Sequence, residues 1–283
     1  MNRLFVVNKP IFRSSNNYMY HIKRKYGTKK VGFSGTLDPF ATGCLIVATG
    51  TFTKLFQFLN KTPKSYRATL WLGAQSNSLD IENVTTIQNC QELKLQDIKN
   101  ALNSLLGELT YLPPKYSAKK INGKKAYDLA RANIDVKLKE ITSRIYSVKL
   151  LNYNHPFITF EIEVSEGSYI RSIAQILANK LGVKATLSAL HRLNEGAFYY
   201  NNEEPINPYT NLKIPNNQFL AEDEILELGK KIDSSYFKIK DNGTYLVESK
   251  NFYSIIEIVG NSVKYRLNRL PKEYKWSKNL MLK

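Results

Sequence analysis

The residue best suited to chemistry in this sequence is Asp38. It is the only carboxylate among the first 79 residues, which also hold twelve Lys or Arg residues. A carboxylate held in one place can act as a nucleophile or remove a proton. Asp38 lies in a turn with Gly35, Pro39 and Gly43, and the apolar run Cys44–Ala48 that follows predicts a buried strand beneath it. The simpler alternative is that Asp38 only makes an Asx turn before Pro39.

The residues around Asp38 follow a longer pattern. Residues 32–50 read GFSGTLDPFATGCLIVATG. The pattern Gly-x-Ser/Thr-Gly-Thr-Leu-Asp-Pro-x-Ala-Thr-Gly-x-Leu resembles the catalytic motif of the TruB family, the tRNA pseudouridine 55 synthases. The resemblance implies that Asp38 is the indispensable catalytic residue. The family usually has His at Phe33, beside the nucleotide as it leaves its loop, and an aromatic ring at this position can still stack on a base.

Tyr66 lies in a run from Lys64 to Gly73 that predicts a strand. Most strand tyrosines simply place their ring in the core. The Lys-x-Tyr-x context resembles the family's tyrosine, which implies that Tyr66 stacks on the target base and is the candidate to take the proton from its C5. A phenol suits both tasks, since the ring offers a face and the oxygen a donor or acceptor.

Arg171 lies in the first turn of a helix predicted over Ser168–Leu177, where the helix dipole disfavours a cation. We therefore expect a specific anionic partner. One alternative is a surface ion pair with Glu166. The run Gly-x-Tyr-Ile-Arg resembles a TruB element whose Arg pairs with the catalytic Asp, which implies an ion pair between Arg171 and Asp38.

Several other residues are candidates for contact with the substrate. Residues 113–118 resemble the TruB element Pro-Pro-x-Tyr-Ser-Ala, and five lysines fall between Lys115 and Lys125. Such a loop is often only solvated, but the resemblance to an RNA-gripping insertion favours phosphate contacts. Residues 184–193 resemble the family's strand in which a Leu packs beside the base and an Arg follows, which implies that Leu190 lies in the pocket wall and that Arg192 contacts RNA or supports the site. Without the resemblance, Leu190 would be expected simply in the core. The candidate substrate-binding residues are Leu190, Phe33, Lys9, Tyr116, Arg192, Lys119, Lys120 and Lys124.

Composition points to a nucleic-acid partner. The formal net charge is +17 and the pI about 9.6, which favours binding to a polyanion. Two cysteines and three widely separated histidines support neither a disulfide framework nor a metal site. No window approaches the roughly 20 apolar residues of a membrane span. We expect a cytoplasmic chain without a metal or a cofactor.

The predicted fold is α+β, with a mixed, mainly antiparallel central sheet, flanking helices and a small C-terminal β-rich segment, as the pseudouridine synthase resemblance implies. Ser14 and Ser15 predict the start of a helix that runs to about Tyr26. A second helix is predicted over Asp97–Leu106, with Gly107 as its C-cap, and a short acidic helix over Phe219–Leu228. The polar residues 75–95 are expected to form a surface connection. Apolar residues at every second position from Ile158 to Val164 predict a half-buried strand.

The catalytic domain is expected at 1–232, with the RNA-gripping insertion near 113–140. Residues 233–283 are expected to form a small β domain. Family members often end in a domain of the PUA type, of which this segment would be a degenerate version.

The resemblance implies isomerisation of uridine to pseudouridine in the T loop of tRNA by a monomer. The base is flipped out, its glycosidic bond is cleaved with the help of Asp38, and C5 is joined to the ribose. Two alternatives stay open. Phe33 and Phe12, which replace the family's His and Gly, favour a non-catalytic RNA-binding or RNA-folding protein. The second alternative is a related synthase that acts on another RNA or within a guide-RNA complex.

Overall fold

A mixed β-sheet forms the centre of the fold. The computed structural model describes residues 2–117, 120–121, 123–126, 129, 132, 134 and 138–272. In chain order the strands are β1 (Arg3–Lys9), β2 (Val31–Ser34), β3 (Thr42–Thr49), β4 (Lys64–Leu72), β5 (Ala74–Ser76), β6 (Val84–Ile87), β7 (Gly107–Tyr111), β8 (Lys120–Ile121), β9 (Lys124–Lys125), β10 (Ile141–Asn154), β11 (Phe157–Val164), β12 (Ala185–Glu195), β13 (Phe198–Tyr199), β14 (Asn216–Asn217), β15 (Gly243–Glu248), β16 (Phe252–Val259) and β17 (Ser262–Pro271). The α-helices whose bounds lie within the described residues are α1 (Ser15–Lys25), α2 (Leu95–Asn103), α3 (Ile170–Lys180) and α4 (Asp223–Glu227).

The central sheet has nine strands in the order β1, β3, β12, β4, β11, β10, β7, with β2 beside β3 and β13 beside β12. Strands β3 and β12 pair in parallel at Gly43 and Arg192, and the other pairs in this sheet are antiparallel. A Cβ on Gly43 would lie 2.3 Å from the carbonyl oxygen of Arg192, so only glycine permits this approach. The mixed, mainly antiparallel sheet predicted from the sequence is confirmed.

Strands β1 and β3 are apolar on both faces because both faces are covered. One face packs into the main core with helices α1 and α3, through Phe5, Val7, Leu45 and Val47. The opposite face packs against a 3₁₀ helix at Gly50–Gln57 and against the C-terminal sheet, through Leu4, Val6, Cys44, Ile46, Phe52, Leu55, Leu246, Ile255 and Leu270. Two-sided burial explains the continuous apolar runs in these strands.

Local signals predict the start of α1 correctly but not the ends of two other helices. Ser14 is the N-cap of α1, and its hydroxyl accepts a hydrogen bond from the amide of Asn17. Gly107 was expected to cap α2 but begins β7 instead, with φ +93°. The acidic helix expected at Phe219–Leu228 is limited to α4.

Residues 75–95, expected as a surface connection, contain the paired strands β5 and β6 and a 3₁₀ turn at Ile81–Asn83. Asp80, at the start of that turn, is 1% exposed. The expectation of a surface segment is therefore wrong at Asp80, whose carboxylate is retained in the interior by hydrogen bonds and an ion pair.

The C-terminal sheet has the strand order β14, β15, β16, β17. Strand β14 precedes the expected boundary at residue 233 and pairs in parallel with β15. Within the described residues, no helix is long and apolar enough to cross a membrane.

Candidate active site

An open cavity of about 360 Å³ lies where the loop after β2 meets β4, β12 and the start of α3. This volume is within the range of ligand-sized pockets, about 300–1,000 Å³. Five residues singled out in the sequence line it together, although they come from four separate parts of the chain: Asp38, Tyr66, Arg171, Leu190 and Arg192.

Asp38 and Arg171 form the ion pair that the resemblance implies. Nε of Arg171 lies 2.9 Å from Oδ2 of Asp38, and the side chains are 4% and 32% exposed, respectively. The carboxylate is therefore open to the cavity while its cationic partner is enclosed. Glu166, the alternative partner, pairs with Lys61 instead, at 3.2 Å.

The guanidinium of Arg171 is held on every side. It donates to the carbonyl oxygens of Ser78 at 2.7 Å and Tyr116 at 2.6 Å, and its Nη1 lies 3.3 Å from Oδ2 of Asp80. Asp80 in turn accepts from the hydroxyl of Ser78 at 2.6 Å. A guanidinium carries five N–H donors in a planar fork, so it can make all of these contacts at once. Together the contacts fix its orientation towards Asp38.

Opposing effects act on the pKa of Asp38. Burial raises the pKa of this carboxyl, and the nearby Asp80 carboxylate raises it further, while the guanidinium of Arg171 and the ammonium of Lys9 lower it. The net direction is upward. Arg171 therefore offsets part of the cost of placing a charged carboxylate in a largely enclosed site.

Tyr66 and Leu190 also line the cavity and are 7% and 6% exposed. They lie on β4 and β12, which are hydrogen-bonded neighbours. Tyr66 is close enough to the Arg192 guanidinium to raise the pKa of that arginine. Leu190 adds an apolar surface next to the ring, so the two side chains together form a wall on which a flat base can pack.

Arg192 lines the cavity and supports the residues around it. It is 1% exposed, donates to the carbonyl oxygens of Cys44 and Gly35, each at 2.8 Å, and pairs with Glu195 at 2.8 Å. Burial lowers the pKa of Arg192, but the Glu195 carboxylate and Tyr66 outweigh it, and the pKa is raised. Of the two roles expected for Arg192, support fits its position.

Lys9 was expected to contact the substrate, but in the structure its side chain lies in the interior. The side chain is fully buried, and its ammonium donates to the carbonyl oxygens of Pro10 at 2.8 Å, Arg13 at 2.6 Å and Pro39 at 3.2 Å. Burial lowers the pKa of Lys9 to about 8, while Asp38 acts to raise it. Because three carbonyls occupy its donors, Lys9 ties the turn after β1 to the loop that carries Asp38.

The remaining candidates lie elsewhere. Phe33 is half-buried and lines a separate groove between α1 and β2. Tyr116 contributes its carbonyl oxygen to Arg171. Lys120 and Lys124 lie in the short paired strands β8 and β9, and Lys119 lies outside the described residues.

Three charged residues of the site received no role from the sequence: Asp80, Glu195 and Lys64. Asp80 shares Arg171 with Asp38. Glu195 is fully buried between Arg192 and Lys64, with Lys64 Nζ 2.7 Å from its Oε2. The spacing of Asp80 two residues after Ser78, with a turn following, was a local signal for a capping carboxylate. The sequence signal for a buried Glu195 was weaker and consisted only of its position three residues after Arg192 on the same strand.

Comparisons of sequence identify relatives over nearly the whole chain. The family model described as TruB family pseudouridylate synthase (N terminal domain) matches residues 23–170. A tRNA pseudouridine synthase B of Sulfurovum sp. (strain NBC37-1) is 63% identical over 272 residues, which cover 96% of this chain and 98% of that protein. The protein of the same name from Campylobacter concisus (strain 13826) is 47% identical over 272 residues, covering 96% of this chain and all of that protein.

A solved structure shares the fold at low identity. The chain in a crystal structure of a Cbf5-Nop10-Gar1 complex aligns with a TM-score of 0.68 and 18% identity, covering 96% of this chain and 86% of that one. The family match spans Asp38 and Tyr66 and ends at Ile170, and the alignment with the Sulfurovum protein covers 96% of this chain. The chain belongs to the TruB family of pseudouridylate synthases.

Proposed function

We propose that this chain isomerises uridine to pseudouridine in the T loop of tRNA. The observation that carries the proposal is the Asp38 carboxylate, which lies 2.9 Å from the enclosed Arg171 guanidinium in the wall of a cavity that also contains Tyr66 and Leu190. Relatives with 47–63% identity bear the name tRNA pseudouridine synthase B, which supports tRNA as the substrate.

The target uridine must leave its loop before an enzyme can reach its glycosidic bond. Extrusion costs a few kcal/mol, which stacking and phosphate contacts can offset. Tyr66 supplies a ring face in the cavity, and the net charge of +17 supplies attraction to phosphates. Leu190 excludes water beside the base, so the reacting groups interact in a medium of low dielectric constant.

The chemistry is a rearrangement with no net gain or loss of atoms. The bond between N1 and C1′ breaks, the uracil turns within the cavity, and a bond forms between C5 and C1′. C5 loses its proton and N1 gains one. Asp38 acts at the ribose, by attack on C1′ or by removal of the 2′ proton, and Tyr66 takes the proton from C5. Arg171 holds the carboxylate in place and favours its charged form.

Release of the C5 hydrogen is a direct test. A tRNA transcript labelled with tritium at uridine C5 is expected to release label into water when the wild-type chain acts on it. Asp38→Asn is expected to release none while it still binds the RNA, since the amide can neither attack nor take a proton. Asp241→Asn, a change at an exposed aspartate of the C-terminal part, is the matched control. Release by Asp38→Asn at the wild-type rate, or no release by the wild type, would refute the proposal.

The finer parts of the proposal are the T stem-loop as the portion of tRNA that is bound, action as a monomer, and a location in the cytoplasm. We also propose that residues 1–232 carry the catalysis and that the C-terminal part is accessory. Comparison of a full tRNA transcript with an isolated T stem-loop in the tritium assay tests the first of these, and light scattering of the chain at assay concentration tests the second.

A further inference from the structure

A second concavity lies beside the cavity that contains Asp38. This α1–β2 groove has a volume of about 590 Å³ and is formed by Asn16, Asn17, Tyr20 and Lys23 of α1 and by Gly32 and Phe33 of β2, among others. We propose that the α1–β2 groove binds one nucleotide of the RNA strand next to the target uridine. The inference rests on the proposed function, because the target uridine is its point of reference.

The groove is rigidly connected to the loop that carries Asp38. The hydroxyl of Ser15, the first residue of α1, accepts from the amide of Leu37 and donates to its carbonyl oxygen, each at 3.0 Å. Leu37 lines the cavity and directly precedes Asp38. Both walls of the groove therefore run into this loop, and RNA bound in one concavity is positioned relative to the other.

The nearest edges of the two concavities lie close enough together for neighbouring nucleotides. Phe33 lines the groove and Gly35 lines the cavity, and two residues of extended chain span at most about 7 Å. One sugar-phosphate unit covers a comparable distance. A strand that places its uridine in the cavity thus has an adjacent nucleotide within reach of the groove.

The side chains of the groove match the parts of a nucleotide. Tyr20 is 67% exposed and Phe33 is half-buried, so each ring offers surface on which a base can stack. Asn16 and Asn17 are exposed amides that can donate to and accept from a base edge. The ammonium of Lys23 lies 5.4 Å from the centre of the Tyr20 ring, where it can contact a phosphate beside a stacked base.

The surrounding charge favours a polyanion. Residues 9–31 hold seven Lys or Arg residues and no Asp or Glu, and the last turn of α1 contributes Lys23, Arg24 and Lys25. An acidic protein segment would satisfy the charge but would leave two aromatic faces and two amides without matching groups. The combination of cations, rings and amides is the one expected for single-stranded RNA.

A comparison of binding by two variants and three RNAs tests the inference. The RNAs are a synthetic T stem-loop and two versions in which the base on the 5′ or the 3′ side of the target uridine is absent. Tyr20→Ala removes the exposed ring without disturbing the core. The matched control is Tyr146→Ala, which removes a 47% exposed tyrosine whose ring also lies beside a cation, Arg144 at 6.0 Å, but which does not line the groove.

We expect Tyr20→Ala to weaken binding of the intact RNA by about 5- to 150-fold, the range that corresponds to loss of one base-aromatic stack. Tyr146→Ala should bind as the wild type does. With one of the two abasic RNAs, the wild type should lose a similar factor and Tyr20→Ala should lose nothing more.

Two results would overturn the inference: wild-type affinity of Tyr20→Ala for the intact RNA, or an equal loss on all three RNAs. Both tyrosine variants and their parent carry Asp38→Asn in the binding experiments, which prevents turnover, so these results are independent of catalysis. A wild-type chain that binds with the expected pattern but releases no tritium from C5-labelled uridine would refute the proposed function and leave the groove assignment standing.

Discussion

Asp38 and Asp80 share one cation. Nε of Arg171 lies 2.9 Å from Asp38, and Nη1 of the same guanidinium lies 3.3 Å from Asp80. Their surroundings differ, since the Asp38 side chain is 32% exposed and that of Asp80 only 2%. The enclosed aspartate is in a position to orient the arginine, and the aspartate open to the cavity remains accessible to a substrate.

The sharing of Arg171 has a consequence for the pH dependence of activity. The folded-state pKa of Asp38 is raised, and Asp80 contributes to that rise. If the reaction needs the charged carboxylate, activity is lost as the pH falls through this pKa. Asp80→Asn removes one negative charge near Asp38, so we expect the acid limb of the kcat/KM profile to move to lower pH. A tritium-release profile for the wild type and this variant measures the shift, and an unchanged or upward-shifted limb would contradict it.

Loss of Arg171 should affect stability as well as activity. Arg171→Ala leaves Asp80 in the interior without its cation and frees the carbonyls of Ser78 and Tyr116. Removing one partner of a buried ion pair typically costs about 3–5 kcal/mol, and we expect a loss of this order in the free energy of unfolding, measured in urea. Arg171→Lys keeps the charge and should lose less stability, although its single ammonium cannot reproduce the fork. Equal stability of Arg171→Ala and the wild type would show that the guanidinium does not hold this region together.

The buried ammonium of Lys9 predicts a pH-dependent contribution to stability. Its pKa is lowered from 10.5 to about 8 in the folded chain, so between these values the unfolded chain binds more protons than the folded one. The contribution of Lys9 to stability is therefore smallest below pH 8 and rises towards pH 10.5. Relative to Lys9→Met, which lacks this group, the wild type should gain stability in urea unfolding as the pH is raised through this window. A difference that stays constant, or that shrinks, would contradict the assignment.

Glu166 places a negative charge at the rim of the cavity. Burial raises the pKa of Glu166, but the ammonium of Lys61 outweighs it, and the pKa is lowered. The glutamate side chain is 51% exposed, and pairs of this kind contribute about 0–1 kcal/mol. Glu166→Gln should therefore change the free energy of unfolding by less than about 1 kcal/mol. It should also strengthen binding to T stem-loop RNA, most at low salt, because one charge that repels phosphate is removed.

Filter binding over a salt series checks this prediction. Affinity of both the wild type and Glu166→Gln should fall steeply as salt rises, and the two curves should converge because salt screens the charge difference. A flat salt response would show that phosphates are not gripped by this basic surface. Weaker binding by Glu166→Gln would show that the carboxylate contacts the RNA favourably.

The sequence by itself determined the elements that depend on neighbours along the chain. The cap at Ser14, the alternation in β11 and the apolar run of β3 are all local patterns, and the structure has these elements at the expected places. The position of Arg171 in the first turn of a helix without acidic residues indicated a specific anionic partner, and the resemblance identified Asp38 as that anion. The structure contains the pair.

Only the tertiary structure decided which polar groups are buried and what they contact. Lys9 and Asp80 lie in segments whose local composition is typical of surface, yet both are enclosed, because partners from distant segments satisfy their hydrogen bonds and charges. The parallel pairing of β3 with β12, which brings Arg192 and Leu190 to the loop of Asp38, joins residues far apart in the chain. A sequence pattern records the preference of each residue for burial and backbone shape, but a contact across the fold depends on which distant groups arrive at the same place.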